Sequence, residues 1–168
     1  YVGNEGTYSG VYEVEVDSAY QPISRPREII EGERSDRYEA FHLFESRLSV
    51  SDSGTLAFVT KSGARDVIHL YDVEARKLIT TLDFVDLTAV YSPAWSPDGT
   101  KLAFSSIDKS GFSDLYLFDT DQGKLDRLTQ DYYDDRDPSW SPDGAYLAFS
   151  SDRTSSSDGA SYNLFSYE

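Results

Sequence analysis

The densest set of reactive side chains in the chain is Asp131-Tyr132-Tyr133-Asp134-Asp135-Arg136-Asp137. Two roles suit four carboxylates, two phenols and one guanidinium placed side by side. One is a solvated acidic connection that binds nothing. The other is a recognition or cation-binding loop, with the carboxylates attracting charge and Tyr and Arg making the contacts, as they often do at interfaces. Elsewhere spacing argues against chemistry. Asp119-Thr120-Asp121-Gln122-Gly123 lacks the third carboxylate and terminal glutamate of a calcium loop, so a hairpin turn is expected. His42 and His69 are the only histidines, and neither stands in His-Glu-x-x-His. Gly6-Thr7-Tyr8-Ser9-Gly10 is not a Gly-x-Ser-x-Gly elbow, and no glycine-rich loop with lysine is present to cradle phosphate. With neither a nucleophile setting nor a metal-ligand set, no catalytic residue and no cofactor are expected.

Bulk composition narrows the partners. The net charge of −15 argues against nucleic acid or an anionic membrane, both of which need a basic surface. No apolar run approaches the 18 or so residues of a membrane-spanning helix. Cysteine is absent, which excludes disulfides and thiolate metal sites. The chain has no Met and opens on Tyr1-Val2, so its natural start is expected to lie upstream. A length of 168 residues fits one domain with a real core, and 13 Tyr with 9 Phe favour strands.

The elements that must hold the Asp131–Asp137 stretch show themselves by repetition. Pro93-Ala94-Trp95-Ser96-Pro97-Asp98-Gly99-Thr100-Lys101-Leu102-Ala103-Phe104-Ser105-Ser106 reads as strand, tight turn, strand. It returns as Pro138-Ser139-Trp140-Ser141-Pro142-Asp143-Gly144-Ala145-Tyr146-Leu147-Ala148-Phe149-Ser150-Ser151, with a degraded copy at Leu48–Val59. Gly54, Gly99 and Gly144 are spaced by 45 residues, as are Val50, Trp95 and Trp140. Four strand signals recur in each unit, the length and content of a propeller blade. The units cover about 1–30 (partial), 44–82, 89–129 and 137–168 (partial). Residues 3–10 read as a polar loop, and 31–45 as a charged connection in which a short helix could fit. Trp95 and Trp140 are expected between neighbouring blades, and Asp98 and Asp143 as acceptors for backbone N–H groups in their turns.

Trp-Ser-Pro-Asp-Gly, Leu-Ala-Phe-Ser-Ser, Asp114-Leu115-Tyr116-Leu117-Phe118-Asp119 and Asp126-Arg127-Leu128-Thr129 together resemble the repeat of TolB-like β-propellers. The match is closest over residues 92–130 and 137–153 and looser over 46–82, where Val50 stands for Trp and Ser53 for Pro. The resemblance implies an all-β propeller of four-stranded blades, with about 3.7 blades present by length over period. Such a chain would be a fragment, or would be completed by a second copy covering its open ends. The resemblance further implies a periplasmic or extracellular location. It leaves two functions open: a non-catalytic module that binds protein or peptide, or an accessory domain of a larger secreted peptidase or other hydrolase.

In propellers of this kind, loops between second and third strands share one face with the links between blades. Here those segments are 3–10, 31–45, 60–66, 83–92, 107–114, 130–138 and 151–162. They hold 17 of the 30 acidic residues but only 7 of the 15 basic ones, so an acidic face and a cationic partner are expected. Tyr132, Tyr133, Asp134, Asp135, Arg136 and Asp137, with Tyr38 from the 31–45 connection, are the expected partner-binding residues. A calcium-stabilised propeller is a third, weaker reading.

Overall fold

A computed structural model of the protein describes residues 1–5, 8–32, 38–41, 47–153 and 162–167. His42 and most of the 151–162 loop lie outside them. The described residues contain no helix and form four antiparallel meanders. The first sheet holds β1 (Val2–Glu5), β2 (Tyr8–Glu13) and β3 (Arg27–Ile30). The second holds β4 (Ser49–Val50), β5 (Thr55–Ser62), β6 (Arg65–Asp72) and β7 (Lys77–Leu82). The third holds β8 (Leu87–Trp95), β9 (Lys101–Asp108), β10 (Ser113–Asp119) and β11 (Lys124–Arg127). The fourth holds β12 (Asp135–Trp140), β13 (Leu147–Ser151) and β14 (Asn163–Tyr167).

Sheets stack face to face because their central strands are apolar on both sides. In β5, Leu56 and Phe58 join Val11, Ile30, Tyr38, Phe41 and Tyr71 between the first two sheets. Their neighbours Ala57 and Val59 point the other way, into a cluster with Leu102, Phe104, Tyr116 and Phe118 of the third sheet. The period-two geometry of a strand thus feeds two cores from one run of five buried residues. Phe58 and Phe104 are 0% exposed, each burial stabilising by about 2–3 kcal/mol. β8 packs against β4, β5 and β6, and β12 against β8, β9 and β10. Outer strands such as β7 stay largely exposed.

Each repeated turn closes in the same way. Gly54, Gly99 and Gly144 all adopt left-handed φ (82°, 71° and 72°), which a side chain would oppose, and each N–H donates to the Ser three residues back at 2.9 Å. Asp98 Oδ1 accepts from Thr100 N and Asp143 Oδ1 from Ala145 N, both at 3.1 Å, as expected for these turns. The tryptophans do bridge neighbouring sheets, but both are only half-buried. Trp140 Nε1 donates to Ala94 O across the seam at 3.1 Å.

Three loop expectations fail because strands here run further into the connections than composition suggests. The 3–10 stretch is not a loop, because β1 pairs with β2 through most of it. The 60–66 loop shrinks to Gly63-Ala64, since Ser62 pairs with Arg65. Asp135 and Asp137 likewise belong to β12 and not to a free connection.

Candidate binding face

Meander topology sends the β5–β6, β9–β10 and β13–β14 connections to the same end of the sheets as the links β7–β8 and β11–β12. Contacts confirm that these segments meet there. Ser113 N, opening β10, donates to Asp134 Oδ1 at 3.1 Å in the next link. Asp134 N in turn donates to Asp152 Oδ1 at 2.8 Å, past the end of β13. Lys109 reaches back from the β9–β10 loop to Asp86 at 2.9 Å.

Each of the three later blades buries one carboxylate at this end and neutralises it. Asp66 pairs with Lys61 at 2.9 Å and also accepts Val90 N at 3.0 Å. Asp114 pairs with Arg127, which reaches Asp108 as well at 2.9 Å. Burial pushes the Asp114 carboxyl up, against the pull of the Arg127 hydrogen bond and charge. Asp135 pairs with Arg153 at 2.6 Å, and the same guanidinium reaches Asp131 at 3.0 Å. All three buried side chains are 0% exposed. Counting acids along the sequence therefore overstates what this end shows to solvent.

The expected partner-binding residues separate into three groups. Tyr132 and Tyr133 are exposed, at 84% and 41%, and Asp134 and Arg136 form an ion pair beside them at 3.1 Å. Asp137 is half-buried on the inner strand β12, where Oδ1 accepts from Ser92 Oγ at 2.6 Å and Arg47 approaches to 3.9 Å. Arg47, Ser92 and Asp137 hold the same place in successive repeats, 45 residues apart. Ser92 and Asp137 both take left-handed φ (50° and 55°) directly before a proline, strain of about 1–3 kcal/mol each. Asp135 and Tyr38 are corrections. Asp135 is the buried partner of Arg153, and Tyr38, 6% exposed, packs edge-on to Phe58 in the core. Neither has surface to offer a partner.

Three residues not singled out from the sequence complete the exposed patch. Phe112 meets Tyr132 with ring centroids 5.8 Å apart. Arg153 lies 5.5 Å over Tyr133, and Arg136 5.8 Å over Tyr162. For the two rings the available signal was an aromatic in a connection between strands, with no counterpart in the other repeats; nothing in the sequence marked Arg153. Nearby, a hollow of about 470 Å³ has Phe84, Tyr116 and Leu125 in its lining, with Asp83, Asp86 and Asp108.

Such a face can hold a positively charged, partly apolar surface by charge and ring contact. Comparison with known proteins agrees with the architecture. Over 79 residues the chain is 40% identical to the Tol-Pal system protein TolB of Hahella chejuensis, covering 46% of this chain and 18% of that protein. It therefore spans less than a fifth of that curated relative's length. The crystal structure of TolB from Acinetobacter baumannii superposes with a TM-score of 0.69 at 19% identity, over 98% of this chain and 36% of that one. The propeller domain of the Trilobed protease from Pyrococcus furiosus gives 0.56 at 16% identity, over 74% of this chain and 38% of that one. A family model for the TolB beta propeller domain matches residues 43–162, well over half of the chain, and the chain belongs to that family.

Proposed function

We propose that this chain is a non-catalytic β-propeller module that binds a cationic protein or peptide on the face bearing Tyr132, Tyr133 and Asp134. The observation that carries the reading is the gathering of exposed aromatic rings and carboxylates from three separate connections at one end of the sheets. Rings supply desolvated contact area, and excess carboxylate speeds encounter with a positive partner. The naming of the curated relatives for the Tol-Pal system suits a protein that works through other proteins, in the periplasm or outside the cell.

The test compares wild type with an Asp134→Asn/Asp152→Asn double variant in pull-downs from a native periplasmic extract. Asn keeps the acceptor oxygens that Ser113 N and Asp134 N use, so the fold should survive while two charges go. Loss of one captured protein, with wild-type capture weakening as salt rises, supports the reading. An identical set of captured proteins would overturn it.

A further inference from the structure

The exposed rings of the face are not equivalent. Tyr133 and Tyr162 each lie under a guanidinium from their own chain, Arg153 at 5.5 Å and Arg136 at 5.8 Å. Phe112 and Tyr132 have no such cation among the described residues. Their planes meet at 84°, and they stay 36% and 84% exposed. Both flanks of this corner are held by hydrogen bonds. Beside Phe112, Ser113 N donates to Asp134 Oδ1 at 3.1 Å, and beside Tyr132, Tyr133 N donates to Asp131 Oδ1 at 3.0 Å. The two rings are thus presented to solvent on a fixed frame, and a frame set before binding lowers the cost of binding.

Charge decides what the corner suits. Asp131, Asp134 and Asp152, all partly exposed, outnumber Arg136 and Arg153 around it, and aromatic faces carry negative quadrupole potential of their own. A cation with a flat apolar surface meets both demands. The chain supplies that group, a guanidinium, to the two neighbouring rings.

We propose that the corner between Phe112 and Tyr132 seats one arginine side chain of a basic partner segment. The proposal rests on this face being the partner-binding face, and adds the residue type recognised there. Guanidinium is preferred over ammonium because it stacks flat on a ring while its edge N–H groups reach a carboxylate. Ammonium is more strongly hydrated and loses more on contact. A neutral ligand such as a sugar would also stack on the rings, but its binding would not depend on charge.

The experiment measures anisotropy of fluorescein-labelled hexa-arginine, hexa-lysine and hexa-glutamine peptides added to the protein. Hexa-arginine should bind tightest. Tyr132→Ala and Phe112→Ala should each weaken it by roughly two- to five-fold, the size of an exposed cation–π contact. Tyr132→Phe, which keeps the ring, should bind like wild type. An unchanged melting temperature excludes a folding effect. If both Ala variants bind hexa-arginine as wild type does, the corner is not the seat. In that event, weakening by Asp134→Asn/Asp152→Asn would leave the face reading standing, and no weakening would remove both. Equal losses for hexa-arginine and hexa-glutamine would show neutral stacking and overturn the choice of arginine.

Discussion

The two ends of the blades obey different rules. At the turn end, Ser96 Oγ donates to Asp98 Oδ1 at 2.6 Å and accepts from Lys101 N at 2.9 Å. Forty-five residues later, Ser141 Oγ meets Asp143 Oδ1 at 2.6 Å and Tyr146 N at 2.9 Å, the same bonds at the same lengths. Even the degraded copy keeps the hub, with Ser51 Oγ accepting from Thr55 N at 3.1 Å. At the loop end each of the three later blades meets one need, a neutralised buried carboxylate, in its own way. Lys61 comes from the second strand of its blade, Arg127 from the fourth, and Arg153 from beyond the second. What the fold requires is copied; what varies around a fixed frame is free to be a site.

Breaking the loop end should produce the largest effect. Arg127→Ala strands the buried Asp114 and leaves Asp108 unpaired, and Arg153→Ala does the same to Asp135 and Asp131. Removing one partner of a buried pair costs about 3–5 kcal/mol. Lys61→Ala should cost less, because Lys61, at 38% exposed against 26% and 28% for the two arginines, is the better solvated cation. Arg136→Ala, at a surface pair, should stay below about 1 kcal/mol. Urea midpoints read against a constant slope rank the four. Were Arg127→Ala as mild as Arg136→Ala, the contrast between buried and surface pairing would collapse.

The same contrast sets what could be read from the sequence. The turn end was legible because Trp-Ser-Pro-Asp-Gly spells its hydrogen bonds in adjacent residues, and repetition at 45 separates rule from accident. The loop end was legible only as composition. Asp114 finds Arg127 and Asp135 finds Arg153 across strands at separations that no repeat fixes, so buried acids were counted as surface charge. Tyr38 failed in another way. An aromatic in a charged connection looks like an anchor, yet the seam between the first two sheets needed filling, and Tyr38 packs there against Phe41.

Mild acid should act on the second blade through His69. His69 and Tyr116 hold matching places, each opposite the buried phenylalanine of the preceding strand, Phe58 or Phe104. Thr60 Oγ1 donates to Lys61 O, so His69 Nε2 carries the hydrogen that Thr60 accepts at 2.8 Å, and Nδ1 accepts from Thr81 at 2.9 Å. Burial lowers its pKa to about 4. The folded state thus prefers neutral imidazole, and its advantage is full above the ordinary value near pH 6.5. It is lost as pH falls from about 6.5 towards 4, a change on the order of 2–3 kcal/mol. Stability followed by thermal melts should fall less steeply over that window in His69→Gln. An identical slope would place the acid sensitivity elsewhere.

Smaller effects test whether the copied end is copied in energy as well as in shape. Ser96→Ala and Ser141→Ala each remove a hydroxyl that donates once and accepts once, at about 1 kcal/mol. Their costs should agree within about 0.5 kcal/mol, because each hydroxyl makes the same two bonds at the same lengths. A larger gap would show that equal distances hide unequal burial, since Ser96 is buried and Ser141 is not.

The tryptophans give the narrowest test. Trp140 Nε1 has Ala94 O across its seam at 3.1 Å. Trp95 Nε1 is buried with no partner among the described residues. The matching acceptor would lie on Ser49, in the two-residue strand β4, where Ser49 Oγ instead takes the Trp95 backbone N–H at 3.0 Å. Replacing Trp by Phe removes the same atoms at both places, so the loss of ring area largely cancels between them. What remains is a hydrogen bond lost at Trp140, against an unsatisfied donor relieved at Trp95. Trp140→Phe should therefore be costlier than Trp95→Phe by about 1–2 kcal/mol in urea denaturation. Equal costs would mean that the seam bond adds nothing net, and that the half-buried rings hold neighbouring blades by contact area alone.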